Sequence, residues 1–112
     1  MTLRAKQSLF VQLLAQLLLE AQMRGYEFTL GEAYRPPETA ALYAKQGKGI
    51  AGSLHTSRLA IDLNLFKDGK FLSSTESHRP LGEWWESQHS LCRWGGRFRD
   101  GGHYSLSHGG KA

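Results

Sequence analysis

Cysteine is nearly absent from this chain: a single residue, Cys92, stands among 112. No internal disulfide can form, so nothing in the sequence marks adaptation to an oxidising compartment. As a metal ligand Cys92 would need further partners; helical spacing from His89 would supply one, but the preferred reading is a buried small hydrophobe. Long apolar runs are missing as well. The best candidate, Phe10 to Leu19, is interrupted by Gln12 and Gln16, falls far short of a bilayer span, and is followed by no small-x-small cleavage site. The expectation is therefore no membrane insertion and no signal peptide. A strong charge imbalance is also lacking. The 14 Lys and Arg exceed the 10 Asp and Glu only enough for a net +4, and the basic residues are scattered apart from a loose Arg93, Arg97, Arg99 cluster. No nucleic-acid-binding motif accompanies them, so no nucleic-acid partner is expected, and the charge is read as solvation and attraction to an anionic cell envelope.

What remains is an ordinary globular composition, 40% hydrophobic and 21% charged. Its length suits one domain, residues 1–112, with one modest core and a monomeric state. Phe10, Leu13, Leu14, Leu17 and Leu18, with Val11 nearby, recur at three- and four-residue spacing and predict an amphipathic core helix ending near Gly25. Tyr26 to Leu30 reads as a short strand. Pro36-Pro37 then suits a helix N-terminus, with Glu38 in the first turn, Leu42 and Tyr43 facing the core, and a stop before Gly47. Gln46 to Ser53 is a glycine-rich loop, Leu59 to Phe66 a strand, and Lys67-Asp68-Gly69-Lys70 a hairpin turn into Phe71-Leu72. A further helix is expected over Leu81 to Leu91, a loop through Trp94-Gly95-Gly96, and a last strand from His103 to Leu106. These elements make an α+β fold of a small antiparallel sheet with about three helices.

The chemistry lies in Ser53-Leu-His55-Thr-Ser-Arg-Leu-Ala-Ile-Asp62 and, downstream, Asp100-Gly-Gly-His103-Tyr104. Two imidazoles and a carboxylate, His55, His103 and Asp62, are a zinc ligand set that leaves the fourth tetrahedral position open, as hydrolytic sites require. Asp100, three residues before His103, can reach the same water as general base and acid. Arg35 follows a strand at a proline-fixed turn and offers a permanent cation for a developing oxyanion. His108 is the main rival to His103, but it sits in a tail, Ser107 to Ala112, expected to fray. His78, placed in a serine-rich loop, and His89, placed on a helix, are read as solvated or packed.

Ser53, His55, Ala60 and Asp62, with Trp94-Gly95-Gly96 and Asp100-x-x-His103 behind them, resemble the pattern of the zinc D-Ala-D-Ala carboxypeptidase and L-Ala-D-Glu endopeptidase family, which includes many phage endolysins. The resemblance runs from Tyr34-Arg35 to His103-Tyr104. It implies the fold of that family, shared with hedgehog domains, and Zn2+ held by His55, Asp62 and His103. Asp100 is implied as base and acid, Arg35 as oxyanion partner, and Ser53 as a support for the first ligand or the substrate. It further implies hydrolysis of a peptide bond in the peptidoglycan stem by metal-bound water, foremost by an L-alanyl-D-glutamate endopeptidase of phage or prophage origin, cytoplasmic until released to the wall. A D-Ala-D-Ala carboxypeptidase or dipeptidase, and a non-catalytic zinc-bearing binding or virion structural module, are the alternatives. Arg58 departs from the pattern, which has glycine there; if that position needs positive φ the arginine is strained, and if it points outward it can bind a substrate carboxylate. Tyr104 is a further candidate for the cleft wall.

Overall fold

The computed structural model describes residues 1–49 and 52–112. Helix α1 spans Leu3–Met23, started by Thr2, whose side-chain oxygen accepts from the Ala5 N–H at 3.1 Å. Its buried positions are Phe10, Leu13, Leu17 and Ala21, one stripe at spacings of three and four. Val11 and Leu18, counted with that stripe from sequence, lie outside it and face solvent. Gly25, at φ 84°, turns the chain into strand β1, Tyr26–Leu30. Helix α2, Pro37–Lys45, begins with proline where no N–H is needed and carries Glu38 in its first turn. It is shallower than expected: Ala40 is its buried residue, Tyr43 is half-buried, and Leu42 is 51% exposed. The loop expected from Gln46 to Ser53 connects α2 onward, with Ile50 and Ala51 outside the described residues.

Strand β2, Ala60–Lys67, is the axis of the sheet. Its second half pairs with β1 on one side, from Leu63 opposite Leu30 to Lys67 opposite Tyr26. On the other side it meets β3, Lys70–Phe71, through a two-residue turn in which Asp68 and Gly69 both have positive φ, the geometry that matches the strand twist. Its first half pairs with β5, His103–Leu106, which in turn pairs with β4, Cys92–Trp94, so the order is β1-β2-β5-β4 and every pairing is antiparallel. β4 was not expected from sequence, because three residues that run into Gly95-Gly96 carry too little alternation to read as a strand.

The third helix also differs from expectation. It runs Thr75–Gln88 rather than Leu81 to Leu91, because Ser74 caps it by accepting from the Ser77 N–H at 3.1 Å and Glu76 favours its first turn. Pro80 lies inside this helix, where in the second turn its missing N–H removes only one intrahelical bond. At the other end His89 is extended and its Nδ1 accepts from the Leu91 N–H at 3.0 Å, which turns the chain into β4. α1 and α3 cover the sheet, and the buried apolar residues form one continuous cluster. Leu17, Leu59, Leu65, Leu81 and Trp85 are fully buried in it. Each such side chain contributes about 1.5–3 kcal/mol of hydrophobic stabilisation. Cys92 belongs to this core as expected, and burial pushes its thiol up to about 12. No described helix is long and apolar enough to cross a membrane.

The same core holds one polar pair. His78, expected in a loop, is on α3 and buried, with Nδ1 2.9 Å from the Tyr104 hydroxyl and Phe28 stacked on its ring at 6.4 Å. Burial lowers its pKa from 6.5 to about 4. The folded protein therefore keeps His78 neutral where the unfolded chain has begun to protonate. Stability from this group is complete above pH 6.5 and is lost as pH falls toward 4, by up to about 3 kcal/mol. Denaturant unfolding at pH 7.5 and 4.5 checks this: His78→Gln is expected to be less stable at the higher pH and to lose that part of the pH slope. Equal slopes in both proteins would show that His78 titrates normally.

Candidate active site

Asp62 sits where β2 changes partners. Its N–H donates to the Glu32 carbonyl at 2.8 Å, and its carbonyl accepts from the Gly31 N–H at 2.8 Å. On the opposite edge it stands directly across from His103 in the β2–β5 register. Residues opposite each other in an antiparallel pair share a face, so this register alone brings a carboxylate and an imidazole together. Close approach is needed on both flanks. A Cβ at Gly31 would stand 2.9 Å from the Asp62 carbonyl oxygen, and one at Gly102 2.7 Å from that of Leu63.

His55 comes from the 3-10 turn Leu54–Ser57. Ser53 opens that turn, its Oγ accepting from the His55 N–H at 3.2 Å, as the sequence suggested for a residue supporting the first ligand. The His55 Nδ1 lies 2.8 Å from the Ala33 carbonyl oxygen. A carbonyl can only accept, so Nδ1 carries the proton and the Nε2 lone pair is turned inward. That Nε2 is 3.3 Å from Asp62 Oδ1, and His103 Nδ1 is 3.3 Å from the same oxygen.

Three electron-pair donors thus face one point, with ligand atoms all within 4.8 Å of one another, the one such group among the described residues. Donors about 2.0–2.1 Å from a tetrahedral zinc are spaced by roughly 3.3 Å, so the two separations from Asp62 Oδ1 are compatible with zinc. The electrostatics point the same way. Burial opposes ionisation of Asp62, but its contacts with His103 and His55 outweigh this and hold the carboxyl far below the usual carboxylate range. Burial likewise disfavours the His55 cation, yet Asp62 and the Ala33 carbonyl raise its pKa. Positive charge between the rings and the carboxylate is what this arrangement stabilises. A metal-binding histidine commonly donates its other ring N–H to an acceptor; His55 does, whereas His103 Nε2 is buried without a partner.

Beside the triad is a cavity of about 480 Å³ that Arg35, Ser53, Phe98 and Asp100 also line. Asp100 lies at the start of a tight turn, its carbonyl accepting from the His103 N–H at 3.0 Å. Burial and then repulsion from Asp62 push its carboxyl up, which suits a group that must take and return a proton. The turn is hung on the core: Trp94 Nε1 donates to the Gly101 carbonyl at 2.7 Å, and the Gly101 N–H to Thr75 Oγ1 at 3.2 Å. Arg35 Nε and Nη2 both donate to Glu32 Oε1, which aims the guanidinium and leaves Nη1 toward Gly49. Glu32 was missed from sequence; its signal was an acid three residues before the arginine, outside any helix. Phe98 was missed too, and it meets the His103 ring edge-on at 5.7 Å.

Two expected substrate contacts are elsewhere. Tyr104 is fully buried with its hydroxyl on His78, because β5 alternates and turns it into the core. Arg58 closes the 3-10 turn at φ 57° and ψ 36°, the left-handed conformation that the missing glycine would adopt freely, and its guanidinium lies over the Tyr34 ring at 3.9 Å rather than in the cavity. The tail is not frayed: His108 and Lys111 form a bridge, and His108 Nδ1 contacts Lys6 Nζ at 3.1 Å instead of competing for metal.

Among solved structures the chain is similar to the L-Ala D-Glu endopeptidase ChiX of Serratia marcescens, with a TM-score of 0.62 and 18% identity over 72% of this chain and 67% of that one. It is also similar to a mutant of the vancomycin resistance D,D-pentapeptidase VanY from a VanB-type resistance cassette, in complex with Zn(II), with a TM-score of 0.58 and 20% identity over 87% and 70%. The chain shares their fold. No protein-family model and no curated protein matches the sequence.

Two outcomes are expected. One equivalent of zinc binds the wild type and raises its stability by about 2.7 kcal/mol at a hundredfold excess over Kd, whereas His55→Ala and Asp62→Ala lose the equivalent, as read by metal analysis and thermal melts. Arg58→Gly relieves about 1 kcal/mol of left-handed strain but loses a cation–π contact of about 0.5–1 kcal/mol, so its stability should lie within about 1 kcal/mol of wild type. A larger loss would mean that the stacking on Tyr34 outweighs the strain.

Proposed function

We propose that this chain is a zinc-dependent peptidase acting on peptidoglycan stem peptides, foremost at the L-alanyl-D-glutamate bond. The observation that carries the reading is the convergence of Asp100 and Arg35 on one cavity beside the His55, Asp62 and His103 triad. Similarity of fold to an endopeptidase of that specificity supports it. So does similarity to a pentapeptidase in complex with Zn(II). Zinc held by the triad would polarise the carbonyl under attack and bring the pKa of its water to about 7.

The chain's own residues do the rest. Asp100 accepts the proton of the attacking water and passes it to the departing amine. The Arg35 guanidinium, held by Glu32, faces the carbonyl oxygen as its negative charge grows, and so favours the transition state over the ground state. Ser53 keeps the His55 turn in place through the backbone N–H of the ligand itself. The excess of basic residues suits approach to an anionic envelope, the setting of a phage-type endolysin. A D-Ala-D-Ala carboxypeptidase is the second reading, favoured by the longer overlap with the pentapeptidase. A non-catalytic binding module would have no use for a proton acceptor and an aimed cation beside its metal.

The decisive experiment is mass spectrometry of purified muropeptides after digestion, because fragment masses identify the bond. Asp100→Ala is expected to keep its zinc and to lose turnover by at least about a hundredfold. Full activity in that variant would remove Asp100 from the mechanism, and intact muropeptides after incubation with the zinc-loaded wild type would leave the binding-module reading.

A further inference from the structure

We propose that Lys111, carried on a C-terminal hairpin, is the carboxylate anchor of the cleft and makes the enzyme prefer peptides with a free carboxylate beside the scissile amide over their amidated counterparts. This rests on the reading of the site as a stem-peptide peptidase. Three cations line the cavity: Arg35, Lys48 and Lys111. Arg35 is engaged by Glu32, whereas neither lysine has an ion pair among the described residues.

Lys111 is delivered there by construction. His108 and Lys111 exchange both backbone hydrogen bonds, at 3.1 and 3.0 Å, around Gly109 and Gly110, whose positive φ values of 57° and 77° permit the two-residue turn. Lys6 of α1 clamps the hairpin, its Nζ donating to the Ser107 carbonyl at 3.2 Å beside its contact with His108. The Lys111 side chain then crosses Gly52. A Cβ at that position would strike Lys111 Nζ and stand 3.1 Å from Cε, so the bare backbone is what lets the lysine lie there. Gly52 immediately precedes Ser53, the cap of the His55 turn, and Lys111 and His55 line the same cavity.

A flexible ammonium is a point charge that follows a carboxylate without needing the planar fit of a guanidinium. The role assigned from sequence to Arg58 therefore falls to a residue 53 positions later, since 111 − 58 = 53, while Arg58 itself stacks on Tyr34. A γ-linked D-glutamyl residue offers this carboxylate, and D-isoglutamine presents a neutral amide of the same shape.

Calorimetric binding to zinc-loaded Asp100→Ala, which consumes nothing, tests the proposal with L-Ala-γ-D-Glu-L-Lys and its isoglutamine counterpart. The carboxylate peptide is expected to bind roughly three- to tenfold tighter, a preference that shrinks at about 0.5 M salt. Adding Lys111→Gln should bring the two peptides to parity, Lys111→Arg should retain the preference, and Lys70→Gln, on the distant hairpin, should leave it unchanged. Equal affinities in the parent, or a preference that survives Lys111→Gln, would overturn the anchor. If the preference is present and depends on Lys111 but wild type cuts neither peptide, the anchor stands and the peptidase reading falls. If wild type cuts both and binds them equally, the reverse holds.

Discussion

The site is built around one crowded point. Asp62 Oδ1 stands 3.3 Å from a nitrogen of each of two imidazoles, and the proton on His55 Nδ1 is committed to the Ala33 carbonyl. Contacts of this length hold where a proton or a cation sits between the two atoms, or where the backbone fixes both partners. Here the backbone supplies the restraint. Asp62 is held by its two backbone hydrogen bonds to Gly31 and Glu32, His103 by the β2–β5 register, and His55 by Ser53 and Ala33. Ligands fixed in this way need not reorganise when a cation arrives, which favours its binding.

The restraint is continuous with the core. Trp94 lies against Gly82 of α3 and Gly96 beyond its own strand, both without side chains where the indole packs, and its Nε1 holds the Gly101 carbonyl. Gly95 packs against the Asp100 carbonyl and 2.8 Å from His103 Cβ, measured to the position of an added Cβ. The end of the turn, from Gly101 to His103, is therefore built into the packed interior, while Asp100 at its start stays exposed to the cleft. This explains a glycine-rich sequence around a site that must be rigid: close approach, not freedom, is what most of these positions require.

Charge is divided across the cavity. Asp62 and Asp100 lie with the imidazoles, while Arg35, Lys48 and Lys111 line the same space. Among the described residues Arg35 alone of the three has an ion pair, and the tie to Glu32 leaves one nitrogen toward Gly49. A guanidinium fixed in this way suits a charge that develops at one point during reaction, and an ammonium without an ion pair suits a charge already present on a ligand.

Local signals in the sequence determined a good deal: the α1 stripe, β1, the Asp68-Gly69 hairpin, the last strand, the α+β class, and the three donors His55, Asp62 and His103 with Asp100 and Arg35 beside them. Those features depend on periodicity, on turn chemistry and on residue types whose spacing travels with the chain. Tertiary structure alone decided the rest. Pro80 was tolerated because Ser74 had already started the helix, and β4 formed because β5 was waiting as a template. Tyr104 and His78 vanished into the core, Glu32 met Arg35, Arg58 accepted a left-handed backbone against Tyr34, and the tail folded back to bring Lys111 over Gly52. Each of these is a meeting between segments distant in sequence or facing directions that no short window specifies, and such contacts exist only once the sheet has set its register.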